Sequence, residues 1–85
     1  MPSSDYVAFT TTAGAARSRA AHIWGISVTS AVTGTITIYD NPSAASGPVL
    51  YSSATNPVGY LPLDIVAKFG VWVVPGSAGG FNLLL

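Results

Sequence analysis

The sequence Gly34-Thr35-Ile36-Thr37-Ile38-Tyr39-Asp40-Asn41-Pro42-Ser43 decides the fold class of this chain. Its first half alternates apolar and polar residues, with Ile36 and Ile38 on one face of an extended segment. Such alternation predicts a β-strand with one buried face. Its second half has Asp, Asn and Pro in the order that favours a tight turn. We therefore expect a strand over residues 35–40 that ends abruptly.

Gly, Pro and Asn divide the rest of the chain in the same way, into short segments rich in Val, Ile, Thr and aromatic residues. Six or seven short strands in one domain, residues 20–85, predict an all-β fold. The expected architecture is a small antiparallel β-sandwich of the jelly-roll or immunoglobulin type. Residues 1–19 are expected to form an N-terminal arm or a first strand. The other strands are predicted at residues 20–30, 49–51, 60–65, 68–74 and 81–85.

The segment over residues 20–30 is the longest of these predicted strands. Strict alternation places Trp24 and Ile26 on one face, and Gly25 marks a point where a bulge or a close contact fits. The Gly-containing turn that follows predicts a hairpin with residues 35–40.

Three later segments give information about position in a sheet. Pro62 has no N–H to donate, so the strand over residues 60–65 is expected at a sheet edge. Residues 68–74 are apolar on both faces, which predicts a central strand or one that meets a partner. Leucine falls on both faces of residues 83–85, so the last strand either docks on a neighbouring protomer or completes its own sheet.

The charge content of the chain is low. Only 7% of its 85 residues are charged, the formal net charge is zero, and 49% are hydrophobic, whereas about a quarter of residues are charged in a typical domain. A domain of this size has modest stability alone, and without cysteine it has no disulfide or cysteine-metal site to add to it. We therefore expect permanent association with other protein surfaces.

Several partners are disfavoured by composition. Arg17 and Arg19 are the only close basic pair, and nucleic-acid binding needs several cations on one face. No apolar run approaches the roughly 20 residues of a membrane span. The start, Met1-Pro2-Ser3-Ser4-Asp5, lacks the features of a signal peptide. We expect no nucleic-acid, membrane or small-molecule partner.

No pattern of catalytic residues is evident, and we expect a protein that is not an enzyme. His22 is the single histidine, and without a Gly-x-Ser-x-Gly motif it is better interpreted as a packed or interface residue. Asp5, Asp40 and Asp64 are far apart in sequence, so turn capping or pairing with a cation explains Asp40 and Asp64 better than paired-carboxylate chemistry does. No cofactor and no metal are expected.

Aromatic residues are the more informative side chains. Trp24 and Trp72 each lie in a β-forming run and are predicted either to pack in the core, to anchor an interface, or to form a sugar-binding platform. The candidate residues for a protein interface are Tyr6, Phe9, Arg17, Arg19, Trp72, Leu83, Leu84 and Leu85.

Residues 34–40, 44–47, 61–63 and 69–73 have the sequences Gly-Thr-Ile-Thr-Ile-Tyr-Asp, Ala-Ala-Ser-Gly, Leu-Pro-Leu and Phe-Gly-Val-Trp-Val. In this running pattern, over about two thirds of the chain, the sequence resembles small virion proteins of tailed bacteriophages. The resemblance implies a β-sandwich that decorates or cements an icosahedral capsid, or that belongs to the neck or tail, with no catalytic residues. Residues 1–20 and the apolar C-terminus lie outside the pattern.

The first functional hypothesis is a capsid decoration, or cement, protein. It predicts a homotrimer that binds the major capsid protein on the capsid surface of the virion, assembled in the host cytoplasm. The alternatives are a neck, tail or fibre-adaptor subunit and a carbohydrate-binding β-sandwich module.

Overall fold

The structure is a computed structural model that describes residues 6–85, and this part of the chain is all-β without a helix. It has eight strands, so the expectation of six or seven was too low. The additional strands come from residues 1–19, which supply two short strands, while residues 1–5 lie outside the described part. The strands are β1 Tyr6–Phe9, β2 Gly14–Arg17, β3 Ala21–Thr33, β4 Ile36–Tyr39, β5 Val49–Ser53, β6 Gly59–Ala67, β7 Val71–Val74 and β8 Ala78–Leu84.

The strands form two four-stranded antiparallel sheets, in the orders β1-β8-β3-β6 and β2-β7-β4-β5. The predicted hairpin of β3 with β4 is therefore wrong, because these strands lie in different sheets. After Thr33 the chain crosses between the sheets at Gly34, which has a φ of 91°. The Thr33 carbonyl accepts the N–H of Ser77 at 2.7 Å and so holds this crossing. The alternation of apolar and polar residues shows which face of a strand is buried. It does not show whether the next strand pairs with it in the same sheet or packs against it from the other sheet.

One cluster of buried side chains draws on both sheets, as in a β-sandwich. The Phe9 and Phe81 rings stack within it, with centroids 5.6 Å apart. The largest fully buried side chains are Phe81, Ile23, Ile26, Ile36, Ile38, Leu83, Val71 and Val73.

A bulge in β3 changes the side-chain alternation. Ile23 and Ile26 are both buried, and the pairing with β6 shifts between Ile23 and Gly25. Trp24 is consequently half-buried on the outer face, not on the face of Ile26. The prediction of a bulge or close contact at Gly25 is confirmed, and the shared face predicted for Trp24 and Ile26 is wrong because of that bulge.

The predicted edge position of β6 is confirmed, and for β7 and β8 one of the two predicted alternatives is observed. β6, which contains Pro62, is an edge strand, and β7, which contains Trp72, is central. β8 completes its own sheet between β1 and β3; Leu83 and Leu85 lie in the core, and Leu84 is half-buried on the outer face.

Candidate protein interface

The outer face of the sheet β1-β8-β3-β6 is rich in apolar and aromatic side chains; we refer to it as the aromatic face. The register places Leu84 beside Tyr6 on one side and Gly25 on the other, and Val66 beside His22. Tyr6 is 60% exposed and Val66 63% exposed. The domain measures 29 × 28 Å across its broad side and 16 Å in thickness, and this sheet forms one of its two layers.

The Tyr60 ring is fixed on this face by the absence of a side chain at Gly25. A Cβ at position 25 would lie 2.7 Å from both Cε1 and the hydroxyl of Tyr60. The ring therefore lies across the glycine backbone, and its hydroxyl donates to the Trp24 carbonyl at 3.4 Å. Covering a strand glycine with an aromatic ring protects the exposed backbone at a bulge.

His22 and Asp64 join β3 to β6 beside Trp24. His22 Nε2 lies 2.5 Å from Asp64 Oδ1, and the imidazole stacks on the indole of Trp24 with centroids 3.9 Å apart and planes 8° apart. Asp64 has a φ of 111°, a strained conformation for a residue other than glycine, and its side chain is 78% exposed. The β3 bulge and the strained Asp64 together hold the His22 imidazole against the ring of Trp24.

Asp40 holds the turn between β6 and β7. Its Oδ1 accepts the N–H of Phe69 at 2.8 Å and of Gly70 at 3.4 Å, and its Oδ2 accepts the N–H of Lys68 at 3.1 Å. The hydrogen bond from Phe69, followed by those from Lys68 and Gly70, holds the pKa of the Asp40 carboxyl below its usual value of 3.8, against the opposing effect of burial. Asp40 does cap a turn, but the turn belongs to a distant part of the chain.

The turn over residues 68–70 therefore presents Phe69 rigidly. Phe69 is 63% exposed although both neighbouring amides and its own are bound to Asp40. A Cβ at Gly70 would lie 2.5 Å from Pro42 Cα, so the turn packs directly on the β4–β5 loop. Asn41 orders that loop by accepting the N–H groups of residues 43 and 44, each at 2.9 Å.

A cleft of about 380 Å³ opens between the edge strands β5 and β6. Its floor reaches the buried residues Ile26 and Val28. Its rim includes three of the exposed large hydrophobic residues of the domain. The apolar and aromatic side chains that line it are Ile26, Val28, Tyr51, Pro57, Val58, Tyr60 and Leu61.

On the outer face of the other sheet, Trp72 is half-buried beside Ala15 and Tyr39. Its indole N–H is buried and has no hydrogen-bond partner among the described residues. A buried donor in this state costs about 1–3 kcal/mol, so packing of the ring outweighs that cost here.

The residues proposed from the sequence as an interface are dispersed. Tyr6 and Leu84 lie together on the aromatic face. Arg17 donates to the Ala16 carbonyl at 2.8 Å, and Arg19 is exposed in the link after β2. The core contains Phe9, Leu83 and Leu85.

Sequence reasoning missed the exposed Phe69, the cleft, and the pairing of His22 with Asp64. Phe69 was missed because residues 68–74 were predicted as one strand, whereas β7 begins at Val71 and residues 68–70 form the turn before it. The other two depend on the pairing of β3 with β6, which no local pattern specifies.

No family model, curated protein or solved structure matches this chain. Within residues 6–85, no three His, Cys, Asp or Glu side chains come together as ligands for a metal ion. The same part of the chain contains no helix with the length and hydropathy to cross a membrane.

Proposed function

We propose that this chain is a jelly-roll structural subunit of a virion, which decorates and cements an icosahedral phage capsid through protein–protein contacts. The topology supports the jelly-roll assignment, because β1 pairs with β8, β2 with β7, β3 with β6 and β4 with β5. This nested pairing of eight strands is what folding one long hairpin into a double sheet gives. An immunoglobulin domain has a different order, with its first two strands adjacent.

The observation that carries the proposal is the aromatic face. It presents Tyr6, Trp24 and Tyr60, and aromatic residues are the ones enriched at interface centres. Its ionisable groups are His22 and Asp64, which are paired with each other. A face of this kind loses little by leaving water when it meets a capsid protein.

The mechanism is mechanical. A homotrimer of this subunit bridges neighbouring copies of the major capsid protein on the capsid surface and adds contacts that exist only in the assembled shell. By mass action, binding to the assembled state stabilises it against dissociation. The proposed function is to stabilise the capsid lattice, and it involves no reaction on a substrate.

The test is co-sedimentation of the purified protein with expanded heads of the phage whose genome encodes it. Wild-type protein is expected to saturate the heads, and Trp24→Ala to weaken binding by at least about 30-fold, as loss of an interface anchor does. Trp72→Ala is the matched control on the other sheet. Imaging of the virion distinguishes capsid decoration from a neck, tail or fibre-adaptor position. Wild-type protein that neither binds heads nor occurs in virions contradicts the proposal.

One observation favours a second candidate, a carbohydrate-binding module. Asp64 and His22 lie beside the Trp24 ring, and sugar recognition needs polar groups next to an aromatic platform. Binding to a glycan array that is lost in Trp24→Ala and retained in Trp72→Ala, with both variants folded, would support this alternative over the capsid.

A further inference from the structure

Phe69 and the cleft lie at opposite ends of the domain. The cleft is formed around the start of β6 and the loop before it, whereas Phe69 follows the end of the same strand. β6 has nine residues, and a strand of that length spans about 30 Å. Phe69 therefore has no access to the cleft of its own chain.

Phe69 has the properties of a preorganised anchor. Its backbone is fixed by the Asp40 carboxylate, and the glycine after it is fixed against Pro42. An exposed aromatic side chain on a rigid turn loses little conformational entropy when it is buried, which favours binding. Most of this residue is open to solvent, with an exposed fraction of 63%.

The cleft has the size and chemistry that a phenyl ring requires. A cavity of about 150 Å³ already accommodates benzene, and the cleft holds about 380 Å³, lined by aliphatic and aromatic side chains together with Ser53, Thr55 and Asn56. Its rim exposes Val58 to 64%. The remaining volume leaves room for the residues that flank the ring.

The end of the sandwich that holds the cleft has no charge. It is built from residues 10–14, 30–35, 53–59 and 74–80, which are joined by the Val32–Asn56 bridge and the hydrogen bond from Ser77 to Thr33. None of these residues is Asp, Glu, Lys, Arg or His. Covering this end therefore buries no ionised side chain of the subunit that supplies the cleft, which avoids a large penalty of interface formation on that side.

We propose that Phe69 of one copy inserts into the cleft of a second copy, so that subunits associate head to tail. The contact is heterologous, because the two surfaces are different parts of the same chain. A heterologous contact closes a ring when its rotation permits, and each subunit then makes two contacts, one with its Phe69 and one with its cleft. This inference rests on the self-association in the proposed function and is independent of the capsid.

The experiment is light scattering with size exclusion on three single variants and one mixture. Phe69→Ser removes the anchor. Val58→Asp places a charge at the rim of the cleft. Val49→Asp introduces the same charge at another exposed valine, on β5 outside both the cleft lining and the aromatic face, and is the control. All three positions are exposed, and thermal unfolding followed by circular dichroism verifies that each variant is folded.

Wild-type protein and Val49→Asp are expected to be oligomers, and the two other variants monomers, with self-association weakened at least about 30-fold. An equimolar mixture of Phe69→Ser and Val58→Asp is expected to form a one-to-one heterodimer, because an intact Phe69 meets an intact cleft once in each pair.

Three results would overturn the inference. A monomeric wild-type protein removes it together with the self-association of the proposed function. If the wild type is an oligomer and both Phe69→Ser and Val58→Asp form the same oligomer, the contact between Phe69 and the cleft is refuted, while self-association itself is not. Monomeric variants that do not combine when mixed indicate a contact between like surfaces and again remove this one. Capsid co-sedimentation, measured separately, reports on the other part of the proposed function.

Discussion

Replacing Asp40 with alanine is expected to destabilise the fold strongly. The side chain is 7% exposed and accepts three backbone N–H groups. A hydrogen bond to a charged group contributes about 1.5–3 kcal/mol. The Gly70 contact, at 3.4 Å, is long, and the Lys68 and Phe69 amides are part-buried, so water replaces some of the loss. The expected decrease in the free energy of unfolding is about 2–4 kcal/mol.

For a domain of 85 residues, a loss of this size lowers the melting temperature by roughly 10–25 °C. The measurement is urea denaturation followed by Trp fluorescence, with thermal unfolding as a second readout. Asp40→Asn keeps one acceptor oxygen and should lose about half as much. Asp64→Asn is the control, because that carboxylate is 78% exposed and surface pairs contribute about 0–1 kcal/mol.

A decrease below about 0.5 kcal/mol in Asp40→Ala, or equal losses at positions 40 and 64, would refute the account of Asp40 as the clamp of the β6–β7 turn. A large decrease that leaves the amides of residues 68–70 equally protected from hydrogen exchange would refute it as well, because the clamp is expected to act through those three groups.

Two other predictions concern pH and backbone packing. The pKa of Asp40 is lower in the folded chain than the unfolded value of 3.8, so its contribution is present above that value and is lost as the pH falls toward the folded pKa. The urea midpoint of the wild type is therefore expected to drop below about pH 4, and that of Asp40→Asn to drop less; parallel acid profiles would contradict this. Gly76→Ala would place a Cβ 2.2 Å from the Thr33 carbonyl oxygen, whereas a Cβ at Gly14 has no atom within 4 Å. We expect Gly76→Ala to destabilise the fold by about 2 kcal/mol or more and Gly14→Ala to stay within about 1 kcal/mol of wild type; equal unfolding free energies would contradict the assigned packing.

Local sequence patterns predicted the elements of this fold better than their arrangement. Pro62 placed its strand at an edge and the two-sided apolar run around Trp72 placed its strand at a centre, because both properties act within one strand. The pairing of β3 with β6 and β8 depends on which buried faces meet, and many arrangements bury the same isoleucines. A single bulge at Gly25 then reversed the face of Trp24, since side chains alternate with a period of two residues.

Little of the candidate site could be predicted from the sequence, because it too depends on contacts between distant segments. Asp40 was correctly associated with turn capping, but its partners are about thirty residues away, as the hydrogen bond to Gly70 shows. The cleft exists only because β5 and β6 are edge strands of different sheets, so its walls come from segments that no local pattern joins. Phe9 and Leu83 were proposed as interface residues from their hydrophobicity, which is equally the property that places them in the core.

The two proposed contacts support each other through symmetry. A ring closed by contacts between Phe69 and the cleft has cyclic symmetry. The aromatic face of every subunit therefore has the same orientation relative to the ring axis. A surface with matching sites then meets several copies of the face at once. Linked binding of this kind exceeds a single contact by about 10²–10⁴-fold in affinity. Phe69→Ser, which leaves the aromatic face intact, is therefore expected to weaken attachment to the capsid by far more than the loss of one side chain allows. A monomeric Phe69→Ser variant that binds capsids as tightly as the wild type would show that the aromatic face acts one copy at a time.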